Sequence, residues 1–153
     1  MKGNDGTGNN SDRDDWETPQ WLYDHLNKQY NFQFDCCANK ENTKCNNFTS
    51  EFQLYTNFNN FICWMNPPFS KAFEMFEHFI KIKAKGVCIY RCDNMETKVW
   101  QMILKHCDWI HIFPSRINYE GKEGKGSRFP SALIGFGIEK PNKERINGIT
   151  LFT

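Results

Sequence analysis

At 153 residues and a net charge of +1, the chain is sized for one domain, and its charge balance alone does not mark a nucleic-acid binder; positive charge would have to gather on one face. Seven cysteines, an odd number with no signal peptide before them, argue against a secreted disulfide framework and for a reducing cytoplasm, and no apolar run approaches the ~20 residues that span a bilayer. Aromatic residues reach 16%, with 14 Phe and 5 Trp, enough for stacking surfaces as well as for a Phe-rich core.

Residues 1–14 are mostly Gly, Asn, Asp and Ser with almost nothing to bury, which predicts a disordered leader before a single domain over 15–153. Thr18 is placed to cap a helix with Pro19 at its first position, and Trp21, Leu22, His25 and Leu26 follow at helical spacing to about Gln29. Phe32 to Ala38 alternates and then turns small, as a strand running into a turn does, with Asp35 at its end. Cys36, Cys37 and Cys45 form a local cluster without the CxxC pairs of a zinc site, so no metal is expected. Asn39 to Asn60 reads as mostly loop, long enough to imply either function or short elements without a pattern.

The stretch Ile62-Cys63-Trp64-Met65-Asn66-Pro67-Pro68-Phe69 is a buried strand that stops abruptly. Proline cannot donate to a sheet ladder, and a residue before proline is pushed out of the helical region, so Asn66 and Pro67 sit extended at the strand's carboxyl end. Open α/β sheets place their ligands there. The Asn66 amide oxygen and the Pro67 carbonyl are two acceptors for an NH2 group, Pro68 stiffens the backbone, and Phe69 offers a face for a planar ring. A turn that merely ends a strand uses the same residue types.

Ser70 is placed to cap a helix with Phe73, Phe76, Phe79, Ile80 and Ile82 at its apolar positions, ending before Gly86. Val87 to Tyr90 is a short buried strand, Glu96 to His106 an amphipathic helix carrying Val99, Trp100, Ile103 and Leu104, and Trp109 to Phe113 a third strand. Strand–helix alternation predicts a parallel sheet. Asn118 to Arg128, with three glycines and the cations Lys122, Lys125 and Arg128, reads as a mobile loop. Ala132 to Ile138 and Ile149 to Phe152 read as closing strands, paired as a hairpin across Pro141 to Gly148.

Taken in order, these pieces resemble the small phage-type DNA adenine-N6 methyltransferase family. Asp15-Trp16-Glu17-Thr18-Pro19 resembles its Trp-x-Thr-Pro opening, Asp35-Cys36-Cys37-Ala38 with Asn42 its Asp-x-x-Ala segment, and Asn66-Pro67-Pro68-Phe69 its Asn-Pro-Pro-aromatic tetrad. Ser115-Arg116-Ile117 and Phe129-Pro130-Ser131-Ala132 resemble its late segments. The resemblance implies a compact α/β Rossmann-like methyltransferase fold, with a mostly parallel sheet, antiparallel C-terminal strands and helices on both faces. It implies S-adenosylmethionine as cofactor, held by Trp16, Thr18, Pro19, Asp35, Ala38 and Asn42. Asn66, Pro67, Pro68 and Phe69 become the catalytic group, and double-stranded DNA the partner, contacted by Arg116, Lys122, Lys125 and Arg128. The tetrad ends in Phe where Tyr is commoner, and no GxG follows the first strand. A monomer or homodimer working in the cytoplasm, that of a bacterial host if phage-encoded, is expected. An inactive DNA-binding decoy and a cytosine-N4 enzyme are the competing classes.

Overall fold

The computed structural model describes residues 16–58, 60–114, 117, 129–142, 144–146 and 149–152. The expected leader, the loop over 118–128 and Arg116 lie outside the described residues. Helix α1 (Gln20–Tyr30) leads to β1 (Phe34–Asp35) and β2 (Asn47–Phe48). Strand β3 (Ile62–Met65), helix α2 (Ala72–Lys81), β4 (Lys85–Arg91), α3 (Lys98–His106), β5 (Trp109–Ile112) and β6 (Ser131–Phe136) follow. A separate ribbon pairs β7 (Glu144–Ile146) with β8 (Ile149–Phe152).

The main sheet has six strands in the order β2-β1-β3-β4-β6-β5. Strands β2, β1, β3 and β4 run parallel, and β6 is antiparallel to both β4 and β5. The fold is therefore the expected Rossmann-like α/β sheet, with its antiparallel strand between β4 and β5. The expected hairpin is corrected: β6 pairs inside the sheet along its whole length, and β8 finds its partner in β7.

Side chains alternate across the strands, and each face takes its own helices. Trp64, Val87, Ile89 and Leu133 pack with Leu22, Tyr23, Leu26 and Tyr30 of α1. Cys63, Met65, Cys88, Ala132, Ile134 and Phe136 meet Met75, Phe76 and Phe79 of α2 and Trp100 and Ile103 of α3. Phe73 and Leu104, expected on the apolar faces, are exposed. Cys36 belongs to the second layer and Cys45 to the first, so the local cysteine cluster of the sequence is divided between the two faces. All seven cysteines are free thiols.

Gly135 is fixed by a close approach. A Cβ there would lie 2.0 Å from Cε2 of Trp109, whose indole is held by its Nε1–H donating to the Ile138 carbonyl at 2.8 Å. Gly135→Ala forces the indole out of its site, and overpacking of this kind costs on the order of 1–3 kcal/mol. The expected result is a melting temperature lower by roughly 3–10 °C in calorimetry, with no change in the residues around Asn66.

Candidate active site

The chain leaves β1 outward to β2 and then returns to the other side of β1 to form β3, so the direction of the connections reverses between β1 and β3. A crevice opens at the carboxyl ends of strands at such a point. Here it lies between Asp35, the last residue of β1, and Asn66, the first after β3. The cleft encloses about 270 Å³ and is lined by Trp16, Thr18, Asp35, Ala38, Asn42 and Asn66, joined by Glu17, Cys37, Asn39, Lys44, Ser50, Trp64, Pro68, Lys71 and Met75.

The segment ahead of α1 closes one wall. Pro19, not Thr18, is the cap residue of α1, and its carbonyl accepts from Leu22 N–H and Tyr23 N–H at 3.1 and 3.2 Å. The expected Thr18 cap is corrected: no side chain caps this helix, and the Thr18 hydroxyl, 1% exposed, accepts from Asn66 Nδ2 at 3.1 Å. Asn66 Nδ2 also donates to the Trp16 carbonyl at 2.9 Å. A backbone carbonyl only accepts, so the amide nitrogen has to face it. The Asn66 side chain is thereby oriented, with Oδ1 turned away from Trp16 as an acceptor.

Asp35 forms the floor. Its carboxylate accepts from Lys44 N–H at 2.9 Å and Cys37 N–H at 3.3 Å, which wraps the following loop around it. The loop is tied by a reciprocal pair in which Asn39 N–H donates to Asn42 Oδ1 at 2.8 Å and Asn42 N–H to Asn39 Oδ1 at 3.0 Å. The turn-forming role of Asp35 is thus real, and it coexists with a place in the cleft. Burial pushes the carboxyl up to about 6, against the two N–H donors and the Lys44 ammonium, which pull it down.

The tetrad continues past the cleft into an aromatic corner. Pro68 is extended, and Phe69 to Lys71 make one 3-10 turn before α2; the expected Ser70 cap is corrected, since Lys71 holds the cap position without a side-chain bond. Pro67 is buried and Phe69 half-buried. The Phe69 ring meets Phe129 edge-on at 5.1 Å and Tyr90 at 5.9 Å, and Phe129 meets Trp16 at 5.8 Å. The structure therefore gathers Trp16, Thr18, Asp35, Ala38, Asn42, Asn66 and Pro68 around one cleft and sets Pro67 and Phe69 beside it. Pro19 serves α1. Arg116, Lys122, Lys125 and Arg128 lie outside the described residues.

Sequence reasoning missed Lys44, Ser50 and Lys71 in the wall and Arg91 behind Phe69. Lys71 had a signal, two residues after the tetrad. Arg91 had a weaker one, a cation directly after a buried strand.

The profile of the DNA N-6-adenine-methyltransferase (Dam) family matches residues 6–136. That span holds the Trp16, Asp35, Asn66 and Phe129 segments that the fold brings together. The chain belongs to this family. A DNA N-6-adenine-methyltransferase of Haemophilus phage HP1 is 30% identical over 143 residues, covering 86% of this chain and 83% of the phage protein. The family and this relative make the chain an adenine-specific DNA methyltransferase, and the cytosine-N4 class falls away. Among the described residues no helix is long and apolar enough to cross a membrane.

Proposed function

We propose that the chain transfers a methyl group from S-adenosylmethionine to the exocyclic N6 of an adenine turned out of double-stranded DNA, working in the cytoplasm. The observation that carries this reading is the fixed Asn66 amide. With Nδ2 held by the Trp16 carbonyl and Thr18 Oγ1, the amide presents Oδ1 as an acceptor at the carboxyl edge of the sheet. An adenine amino group is a poor nucleophile because its lone pair is delocalised into the ring. Asn66 Oδ1 and the Pro67 carbonyl accept its two N–H bonds, favour a pyramidal nitrogen and stabilise the positive charge that grows there. Acceptors whose interaction strengthens as charge develops raise the rate.

The donor set suits the cofactor. S-adenosylmethionine combines a zwitterionic tail, ribose hydroxyls and a planar base, and the cleft combines a carboxylate (Asp35), hydroxyls (Thr18, Ser50), amides (Asn39, Asn42), an ammonium (Lys44) and apolar walls (Trp16, Ala38, Met75). When bound it would supply an electrophilic methyl group, leaving as S-adenosylhomocysteine once the S–CH3 bond is broken, while the methylated nitrogen gives up its surplus proton to water. Trp16, Thr18, Asp35, Ala38 and Asn42 would hold it in the cleft, while the target base takes the Phe69 side. Asn66 then stands between the two reactants, and holding both in one geometry supplies much of the acceleration. Stacking on Phe69 offsets the roughly few kcal/mol of taking a base out of the duplex. Incubation with labelled S-adenosylmethionine and mixed-sequence duplex DNA, followed by nucleoside analysis, tests the reading: N6-methyladenine is expected, and its absence refutes it.

DNA phosphates fall to Arg116, Lys122, Lys125 and Arg128 in this reading. Each cation engaged releases a counterion and adds about 0.9 to the slope of log affinity against log salt. Changing Lys122, Lys125 and Arg128 together to Ala flattens that slope by roughly two to three units in binding titrations, with cofactor affinity unchanged. A slope that stays put moves the DNA surface elsewhere, first to the Asn-rich segment over 39–60.

A further inference from the structure

The end of β4 carries an arginine that neither the tetrad nor the cleft accounts for. The Arg91 guanidinium carbon stands over the Phe69 ring at 5.1 Å from its centroid and over the Phe129 ring at 4.9 Å. The two rings are 5.1 Å apart and inclined at 73°, so the guanidinium fills the corner they make. Asp93 grips it from behind: Arg91 Nε donates to Asp93 Oδ1 at 2.7 Å, and a second nitrogen, Nη2, pairs with Oδ2. The backbone is pinned as well, since the Trp100 indole N–H donates to the Arg91 carbonyl at 2.9 Å and Cys92 N–H to the Pro130 carbonyl at 2.9 Å. An arginine bound on both oxygens of a carboxylate and lying on two ring faces has few other places to go.

We infer that Arg91 is a positioning residue for Phe69, setting the ring on which the target adenine stacks. This rests on the adenine-methylation reading above. One face of Phe69 is taken by the guanidinium, so the base uses the other, and the pitch of the ring relative to Asn66 is set by Arg91 together with the Phe129 and Tyr90 rings. A bare cation in this corner would oppose the positive charge that grows on the reacting nitrogen. Asp93 neutralises it, so the pair fixes the ring without an electrostatic penalty on methyl transfer. Asp93 is two residues from Arg91 and joined to it directly, so charge and counter-charge arrive on one short turn.

Three variants test this: Arg91→Met, which keeps the apolar stem and drops the guanidinium; Arg91→Lys, which restores a cation; and Asp93→Asn, which leaves both rings and the arginine in place and loosens the grip. Turnover on mixed-sequence plasmid DNA, S-adenosylmethionine affinity by calorimetry and melting temperature are measured for each. Arg91→Met is expected to lose about tenfold in kcat with cofactor affinity and melting temperature near wild type. Arg91→Lys recovers part of that loss, and Asp93→Asn shows a smaller drop of about threefold. Wild-type kcat in Arg91→Met overturns the role. So does a rise in kcat, which would mean that the guanidinium occupies the base's own place, and so does a loss of cofactor affinity in step with kcat. If Arg91→Met does not fold, Asp93→Asn decides, and unchanged turnover there overturns the role equally. A wild-type protein that binds DNA and cofactor but makes no N6-methyladenine refutes the functional reading itself, and the positioning role falls with it.

Discussion

Replacing Asn66 by alanine lowers the rate of adenine methylation by about a hundredfold, corresponding to roughly 3 kcal/mol of lost transition-state stabilisation, and leaves S-adenosylmethionine affinity near that of wild type. The separation follows from what Asn66 touches. Its Nδ2 is committed to the protein, to the Trp16 carbonyl at 2.9 Å and Thr18 Oγ1 at 3.1 Å, and its Oδ1 is the group offered to the substrate. Alanine removes the acceptor that strengthens as charge builds on the amino nitrogen, an interaction made chiefly in the transition state, so kcat and kcat/KM fall together. Asp35, Ala38 and Asn42, assigned to the cofactor, are not disturbed, and Trp16 and Thr18 lose only their hydrogen bonds to Nδ2. Single-turnover assays with saturating DNA and calorimetry of cofactor binding check the two halves. A variant that keeps more than half its activity removes the tetrad from the chemistry.

The parts of this site that were legible in the sequence are those whose signal is local. Ile62 to Phe69 announces itself because an apolar run meets two prolines, and the fold puts Asn66 where that pattern requires, at the carboxyl end of β3. Thr18 shows the opposite case. The same residues that cap a helix also accept hydrogen bonds, and the donor here, Asn66, lies 48 residues away, so local propensity pointed to the wrong partner. Strand β2 is two residues long and is held by Thr49 N–H donating to the Asp35 carbonyl and Ala38 N–H to the Thr49 carbonyl, bonds that leave no periodicity to read.

The closing strands failed for a different reason. Nothing local tells β6 to enter between β4 and β5, yet all six of its residues are buried, and its apolar run from Ala132 to Ile134 is what a central strand looks like. A hairpin partner exposed on one face would have alternated. Arg91 was overlooked because a cation after a strand ordinarily faces water. Only the assembled corner of Phe69 and Phe129 gives it a role.

Asp35→Asn is expected to weaken S-adenosylmethionine binding by about 10- to 150-fold, the range set by losing a hydrogen bond to a charged group worth roughly 1.5–3 kcal/mol, and to abolish a pH dependence that wild type shows. In the free protein burial holds the Asp35 carboxyl at about 6, above its ordinary 3.8. Donors of the cofactor favour the ionised form. Wild-type affinity is therefore flat above pH 6 and falls by up to tenfold per unit below it, as a proton must first be given up. Asparagine, which does not ionise, gives a flat profile at the weaker value.

The stability of the free protein carries the complementary sign. Between about pH 4 and 6 the folded state holds a proton at Asp35 that the unfolded chain has released, so stability declines as pH rises through that window. A shift of about two units sets the decline at roughly 3 kcal/mol, constant above the window, and the asparagine variant lacks this component. Denaturant titrations at several pH values in the absence of cofactor measure it. Cofactor affinity that is pH-independent and unchanged in Asp35→Asn, alongside the expected stability change, confines Asp35 to holding the turn through Cys37 and Lys44 and leaves the cofactor to Thr18, Asn42 and the walls of the cleft.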